Sequence, residues 1–282
     1  MKITVLIENT KNPIRNDLLP EHGLSLYLEI EKHKILFDTG ASNRFIQNAN
    51  KLGIDLESID VVVLSHGHFD HGGGLCGFMK LNRLAPLYAG PGALEAHFAK
   101  LLGMVYIPVG IKQEKTSPFR ARLVGVDVLT EIFPKVFILP NIILLSNPPG
   151  DINTFYRNTS KGKEQDTFQH EVVLVIEESD GIVVATGCSH KGILNIVQSV
   201  ESYFPTMPIK AVVGGMHMTN PFTKKLLRSE QDIQKTGAVL FANTRIAKIY
   251  SGHCTGNRAY EILRKELKDK LCALTVGMQI EL

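Results

Sequence analysis

Three histidines and an aspartate crowd into six consecutive residues of the segment VVVLSHGHFDHGGG. They are His66, His68, Asp70 and His71. They follow the apolar run Val61–Leu64, which is typical of a buried strand. Polar groups this close to a buried strand are costly to bury unless something compensates them, and a metal ion is the usual compensation. Gly67 allows the first two histidines to turn toward one point, while the aspartate and the third histidine can face a second point. The spacing therefore suits a pair of metal ions that share a water.

Four further apolar runs are followed by a polar residue of the metal-binding type, next to a glycine. These are Lys34–Phe37 with Asp38, Ile182–Ala185 with Cys188 and His190, Lys210–Val213 with His217, and Lys248–Tyr250 with His253. Each of these patterns is weak by itself, because a histidine at the end of a strand is often structural. Together, five such runs predict a site at one rim of a sheet sandwich.

The pattern H-x-H-x-D-H after an apolar strand resembles the metal-binding signature of the metallo-β-lactamase superfamily. The resemblance implies an α/β fold, a four-layer αββα sandwich of two mixed β-sheets. It also implies that Asp38 supports the histidine loop and approaches the metals, and that His253 is a ligand of the second metal. The implied metal ligands are His66, His68, Asp70, His71, His190 and His253.

Two motifs depart from the common form of the superfamily. The histidine of a P-G-H-T loop should fall near Pro148-Pro149-Gly150, where this chain has Asp151. The bridging aspartate of T-G-D is replaced by Cys188 in T-G-C-S-H. The last ligand of the first metal is therefore open, and we choose His190 over Asp151, His170 and Cys188. A Cys188 thiolate would be a good soft ligand, and a buried inert cysteine is an equal alternative.

Two longer motifs narrow the resemblance. They are T-G-C-S-H-x-G-I-x-N-I from Thr186 to Ile196, and G-G-x-H at Gly214–His217. Both are similar to motifs of the dihydropterin-methyl-(ribofuranosyl)aminobenzene-phosphate synthases, which join a pterin to an aminobenzene ribose phosphate. One scaffold hosts many chemistries, so the reaction does not follow from the subgroup alone.

The resemblance implies an enzyme that uses a water or hydroxide between two divalent metal ions on a small, phosphorylated or cyclic substrate. Asp70 would hold one metal and take a proton from that water, and His217 is assigned to a substrate or oxyanion contact. Hydrolysis is our first expectation, and a pterin-type condensing transferase is the alternative. Zinc suits the mixed ligands best, with manganese or iron as alternatives. A di-iron oxidoreductase, a nuclease and a non-catalytic sensor are less favoured.

Composition and charge bear on partners and compartment. The 31 Lys and Arg against 28 Asp and Glu leave a net charge of +3, too small to indicate a nucleic-acid partner. No apolar run approaches the roughly 18–20 residues that cross a bilayer. The four cysteines are scattered and form no C-x-x-C pair. We therefore expect a cytoplasmic protein with a small-molecule substrate and no membrane partner, and the sequence leaves a homo-oligomer open.

Short β-branched runs alternate with helical stretches over residues 1–282, which we expect to form a single domain. The predicted helices are Asn43–Leu52, Leu75–Leu81, Ala93–Leu102, Ile193–Val200, Thr223–Thr236 and Arg258–Leu267. The further predicted strands are Ile3–Glu8, Ser25–Ile30, Leu87–Ala89, Phe137–Leu139, Ile142–Leu145 and Val172–Ile176. The polar stretch Asn147–Gln169 lacks periodicity and predicts a functional or mobile loop.

Overall fold

The computed structural model describes residues 1–101, 103–112 and 117–282. The helices are α1 Arg44–Lys51, α2 Phe69–Gly72, α3 Leu75–Leu81, α4 Ile193–Tyr203, α5 Glu230–Ala242 and α6 Asn257–Leu267. The strands are β1 Lys2–Ile7, β2 Ser25–Ile30, β3 His33–Phe37, β4 Val61–Leu64, β5 Leu87–Ala89, β6 His97–Leu101, β7 Val105–Pro108, β8 Leu123–Gly125, β9 Thr130–Phe133, β10 Val136–Leu139, β11 Phe155–Thr159, β12 Gly162–Gln165, β13 Val173–Glu178, β14 Gly181–Ala185, β15 Ile209–Gly214, β16 Ile246–Ser251, β17 Leu271–Ala273 and β18 Gln279–Glu281. Among the described residues, no helix has the length and apolar character needed to cross a membrane.

Two sheets of seven strands each carry the fold. The first has the order β18-β1-β2-β3-β4-β5-β8, and the second has the order β9-β10-β13-β14-β15-β16-β17. Read in these directions, both sheets make three antiparallel pairings followed by three parallel ones. The two sheets therefore repeat one pattern of mixed pairing, and the predicted α/β class is confirmed.

The buried side chains form a core between the sheets and one core outside each sheet. Val5 of the first sheet and Val213 of the second belong to the central cluster. Helices α1 and α3 cover the outer face of the first sheet through Phe45 and Phe78. Helices α4, α5 and α6 cover the second sheet, with Leu263 in that cluster. The order helix, sheet, sheet, helix is the predicted four-layer sandwich. Because layers cover both faces of β4, its sequence is a continuous apolar run.

A third sheet of four strands, in the order β12-β11-β6-β7, corrects two predictions. Residues 93–102 were predicted to be helical, but His97–Leu101 forms β6, and Leu102 lies outside the described residues. The stretch 147–169 was predicted as a loop, yet it contains the hairpin of β11 and β12. In β6 the buried positions are His97 and Ala99. Burial alternates along the strand as expected, but one of these two buried side chains is polar. The apolar pattern of the sequence therefore did not reveal β6 as a strand.

Two further predictions are wrong for local reasons. Residues 142–145 form no strand, because Asn195 accepts hydrogen bonds from the N–H groups of Leu145 and Ser146 and holds this segment against α4. The helix predicted from residue 223 begins only at Glu230. Ser229 sets that start, because its side chain accepts a hydrogen bond from the N–H of Asp232 and caps the helix.

Candidate metal centre

The carboxyl ends of five strands meet at one edge of the two large sheets. Strand β3 ends just before Asp38, and β4 runs into the segment that contains His66. The neighbouring parallel strands β14, β15 and β16 end shortly before Cys188, His217 and His253. Because parallel strands finish at the same edge of a sheet, this topology gathers residues that are far apart in the chain.

The first ligand group consists of His66, His68 and His190, all almost fully buried. The ring centroid of His66 lies 4.7 Å from that of His68 and 4.9 Å from that of His190, and His68 lies 4.7 Å from His190. Within the described structure, Nε2 of His66, Nε2 of His68 and both ring nitrogens of His190 have no hydrogen-bond partner. Buried nitrogens without partners are costly, and a divalent ion would satisfy three of them. The first group therefore fits a metal ion.

The electrostatics of the first group favour neutral imidazoles. Burial lowers the pKa of each of the three histidines well below its ordinary value. A neutral imidazole keeps a lone pair on one nitrogen, which is the form that binds a metal. The group can therefore accept a cation without first releasing protons.

The second ligand group consists of Asp70, His71, Cys188 and His253. Nε2 of His71 lies 3.1 Å from Sγ of Cys188 and 3.1 Å from Nε2 of His253. Sγ of Cys188 lies 3.3 Å from Nε2 of His253, and Oδ2 of Asp70 lies 3.3 Å from the same nitrogen. The group offers two nitrogens, one sulfur and one oxygen around one point, a donor set that suits zinc.

Charge in the second group is balanced by one of its own histidines. Burial acts to raise the pKa of Asp70, but His71 holds that pKa well below its ordinary value. Burial acts to lower the pKa of His71, but Asp38 raises it. Burial raises the pKa of the Cys188 thiol. Positive charge therefore stabilises this group, as a bound cation would.

Asp38 holds the histidine segment through hydrogen bonds, which is the supporting role that the resemblance implied. It is fully buried and accepts hydrogen bonds from the N–H of Ser65 at 2.7 Å and from its hydroxyl at 2.6 Å. Its Oδ2 also lies 2.7 Å from Nδ1 of His71. The backbone of Asp38 has a φ of 60°, a conformation that is uncommon for non-glycine residues and often marks functional sites. These contacts fix the imidazole ring of His71.

Two other residues contact members of the two groups, and the sequence analysis identified neither of them. Oδ1 of Asn9 lies 3.1 Å from Nδ1 of His253. The buried Glu171 accepts hydrogen bonds from the N–H of His190 at 2.6 Å and from the N–H of Lys191 at 2.9 Å. Asn9 follows β1 by two residues and so carried the same kind of signal as the other residues at strand ends, whereas Glu171 precedes β13 and carried none.

His217 lies beside the first group and is held by an acidic partner. Its ring centroid is 4.1 Å from that of His190, and its Nε2 lies 3.1 Å from each carboxylate oxygen of Asp151. Burial acts to lower the pKa of His217, but Asp151 raises it to about 10. Phe155 lies in the same segment as Asp151, and its ring centroid lies 5.3 Å from that of His68 and 5.3 Å from that of His190. Residues 147–169 therefore cover the first group.

The structure separates the four residues considered for the last ligand of the first metal. His190 lies in the first group and Cys188 in the second, and the ligand atoms of both also lie within 4.8 Å of a ring nitrogen of His217. Asp151 is turned to the ion pair with His217. His170 contacts Oδ2 of Asp166 at 3.0 Å. His190 thus lies with His66 and His68, and its role as the last ligand stays a prediction.

His22 was also missed, and it lies at the margin of the second group. Its Nε2 is 3.3 Å from Oδ2 of Asp70, and its ring centroid is 4.9 Å from that of His253. His22 lies in an irregular segment before β2. It does not follow a strand, so the pattern that identified the other histidines does not apply to it.

A groove of about 1070 Å³ runs along α6 and reaches the second group. His22 and His253 line it, together with the cationic side chains of Lys224 and Arg264. The three histidines of the first group do not line it. A molecule in the groove would therefore meet the second group first.

Comparisons with known proteins match this arrangement. A family model described as the metallo-beta-lactamase superfamily matches residues 18–143, the part of the chain that contains the histidine segment. The chain is 29% identical over 276 residues to 7,8-dihydropterin-6-methyl-4-(beta-D-ribofuranosyl)-aminobenzene-5'-phosphate synthase from Methanocaldococcus jannaschii. That match covers 93% of this chain and 90% of the relative.

Solved structures show the same likeness. Tm1679, a metal-dependent hydrolase of the beta-lactamase superfamily, matches with a TM-score of 0.81 and 30% identity, over 100% of this chain and 99% of that one. Zn(2+)-bound PqqB from Methylobacterium extorquens matches with a TM-score of 0.60 and 12% identity, over 100% of both chains. At 12% identity, the second likeness concerns the fold alone.

Proposed function

Because this chain belongs to the metallo-β-lactamase superfamily, we propose that it is a metal-dependent enzyme with two divalent ions that acts on a small phosphorylated or cyclic substrate. The first group would hold one ion and the second group the other. The observation that carries the proposal is the set of unpartnered, buried imidazole nitrogens beside a second, mixed donor set. Ions in these groups would supply Lewis acidity and activate a water.

The chain's own residues would position the substrate and move protons. Asp70 contacts His22, which lines the groove, and the carboxylate oxygen that does not hold the ion would accept a proton. Nδ1 of His217 has no partner within the described structure and would donate a hydrogen bond to a substrate oxygen. Asp151 would hold His217 in place for that contact.

Zinc is the ion we propose for both groups. Three imidazoles form the first group, and two imidazoles, a carboxylate and a thiol that would bind an ion as the thiolate form the second. Nitrogen and sulfur donors suit zinc better than manganese, which prefers oxygen.

Hydrolysis is the first candidate reaction, supported by the likeness to Tm1679 over the full chain. Condensation of a pterin with an aminobenzene ribose phosphate is the second candidate, favoured by the likeness to the Methanocaldococcus jannaschii synthase over most of both chains. In either reaction, Lys224 and Arg264 in the groove would bind a phosphate group.

The test begins with elemental analysis of the purified protein, for which we expect two zinc ions per chain. The zinc-loaded protein is then assayed in parallel with phosphoesters, with lactones, and with a dihydropterin precursor plus an aminobenzene ribose phosphate. Metal-dependent turnover in one panel identifies the reaction class. A chain with fewer than two ions, or no turnover in any panel, would contradict the proposal.

The phosphate contact has its own control. Replacing Lys224 and Arg264 together by alanine should raise KM for phosphorylated substrates and leave kcat nearly unchanged, because these side chains belong to neither ligand group. Replacing Lys32 and Lys135 together, which line a separate cavity beside β3, should change neither constant.

A further inference from the structure

A third cluster of ionisable side chains lies next to the first group and belongs to neither group. It consists of His97 at the start of β6, Asp166 just after β12 and His170 just before β13. All three are almost fully buried. Oδ2 of Asp166 lies 2.8 Å from Nδ1 of His97 and 3.0 Å from Nε2 of His170. We call these three residues the support cluster.

The directions of the hydrogen bonds assign the protons in the support cluster. The N–H of Gly67 donates to Nδ1 of His170 at 3.1 Å, so Nε2 of His170 carries the hydrogen that Asp166 accepts. His97 differs, because its two nitrogens face two acceptors, Asp166 and the carbonyl oxygen of Gly92 at 3.1 Å. Both nitrogens of the His97 ring therefore face an oxygen, which fixes the orientation of the ring.

The charges of the neighbouring groups agree with this assignment. Burial acts to raise the pKa of Asp166, but His170 and His97 hold that pKa far below its ordinary value. Burial lowers the pKa of His170, which agrees with its neutral form. The other oxygen of Asp166 accepts the N–H of Phe168 at 2.8 Å. The support cluster is therefore satisfied by hydrogen bonds, unlike the first group.

The support cluster also packs against the peptide between two of the proposed ligands. Gly67 lies between His66 and His68, and a Cβ atom at Gly67 would come 2.4 Å from Nε2 of His97. The same atom would come 2.4 Å from the carbonyl oxygen of Ala93. Only glycine fits this contact, so the backbone between the two ligands is held closely by residues from β6 and the segment before it.

We propose that Asp166 and His170 are positioning residues that hold the segment His66-Gly67-His68 in the conformation that binds a metal ion. The inference rests on the proposed function, because it requires an ion in the first group. Asp166 fixes the tautomer of His170, His170 fixes the Gly67 peptide, and that peptide sets the directions of the two imidazoles. His97 contacts the same oxygen of Asp166 as His170 does, so it helps to hold the carboxylate in place.

The test uses two substitutions of His170 that keep different contacts. His170→Asn places an amide oxygen near the position of Nδ1, so it keeps an acceptor for Gly67. His170→Gln places its amide near the position of Nε2, so it keeps the contact with Asp166 and loses the contact with Gly67. Asp180→Asn is the control, because it removes an exposed carboxylate that pairs with Lys210.

Each full-length, metal-free protein is titrated with Co²⁺. Charge-transfer absorption from the thiolate of Cys188 to cobalt reports an ion in the second group. Cobalt d–d bands that develop without this charge-transfer absorption report an ion in the first group. Affinity for each group is measured by competition with a chelator, and circular dichroism checks the fold. Asp166→Asn is a second variant with the same expected loss, which keeps the test decisive if His170→Gln does not fold.

We expect His170→Gln to weaken cobalt binding at the first group by about 10- to 100-fold, the usual effect of losing such an outer contact. The charge-transfer absorption from Cys188 should not change in this variant. His170→Asn should bind cobalt at the first group nearly as tightly as the wild type, and Asp180→Asn should bind it as tightly as the wild type. Equal binding by His170→Gln, Asp166→Asn and the wild type would overturn the proposal. Loss of a third bound ion would overturn it too, because the support cluster would then be a metal site. A wild type without cobalt in the first group would overturn the proposed function, and positioning with it.

Discussion

The two ligand groups lie side by side at one sheet edge, yet they are built differently. In the first group, buried imidazole nitrogens have no partners within the described structure, and residues 147–169 cover them. In the second group, ligand atoms contact one another at 3.1–3.3 Å, and a groove reaches His253. The ligand nitrogens of the first group thus lack contacts with one another, whereas the ligand atoms of the second group contact one another without an ion.

This difference indicates different roles for the two groups. Metal binding at the first group replaces no hydrogen bonds among the ligands, so the gain in free energy is not offset. Metal binding at the second group must replace contacts that already exist, such as the one between His71 and Cys188. We therefore expect the first group to bind its ion more tightly, and the second, which meets the groove, to contact the substrate.

The largest expected effect comes from removing one ligand of the first group. In His68→Ala only two of the three imidazoles remain, and we expect metal-dependent activity to fall to background while the fold survives. Zinc per chain and turnover are the measurements. His33→Ala is the matched control, since it removes a histidine that stacks on Phe133 outside both groups. Unchanged activity in His68→Ala would contradict a two-metal mechanism.

A smaller effect, confined to the second group, is expected for Cys188→Ser. Loss of the soft thiolate should weaken zinc binding there by at least about 100-fold, or about 2.7 kcal/mol. Cys188→Asp supplies the carboxylate of the T-G-D motif and should shift preference from zinc toward manganese. Competition between the ions for the metal-free protein measures both effects.

Cys76→Ser is the control for the thiolate, because Cys76 lies on α3 and belongs to neither ligand group. It should bind both ions as the wild type does. Persistence of the thiolate-to-cobalt absorption in Cys188→Ser would show that another cysteine binds the ion and would contradict the composition of the second group.

The smallest expected effect concerns residues 147–169, which cover the first group. The pKa of His217 is raised to about 10, above its ordinary value near 6.5, so its pairing with Asp151 stabilises the metal-free fold fully below about pH 6.5. That stability is lost as pH rises through about 10. Asp151→Asn should therefore lower the free energy of unfolding by about 1.5 kcal/mol at about pH 6 and by much less at about pH 10.

Urea denaturation of the metal-free protein at both pH values measures this difference. Asp127→Asn, a change at an exposed aspartate, is the control and should leave the pH dependence as in the wild type. If Asp151→Asn loses the same amount of stability at both pH values, the ion pair between Asp151 and His217 does not stabilise residues 147–169.

The sequence predicted positions best where a polar residue directly follows an apolar strand. His66, Cys188, His217 and His253 all follow such strands, and the structure brings them to one edge as expected. The rule works because a buried strand has a clear apolar signature and because parallel strands end together. The roles of these residues as ligands and catalysts remain predictions.

The support cluster could not be predicted, because its contacts join distant segments. His97 lies in a strand whose buried face includes a polar residue, and β12 before Asp166 is exposed along its whole length. Neither segment shows the apolar period that identifies a strand. His22 was missed for a related reason, since it precedes a strand instead of following one.

Each ligand group takes residues from both large sheets. His66 and Asp70 follow β4 of the first sheet, whereas Cys188, His190 and His253 follow strands of the second. A bound ion would therefore tie the two sheets together across the core, and a half-folded chain could not offer a complete set of ligands. Ions that bind only the assembled chain stabilise it, by about 4 kcal/mol at a thousand times the dissociation constant. Metal supply would then govern how long the folded chain survives proteolysis, quite apart from any role in turnover.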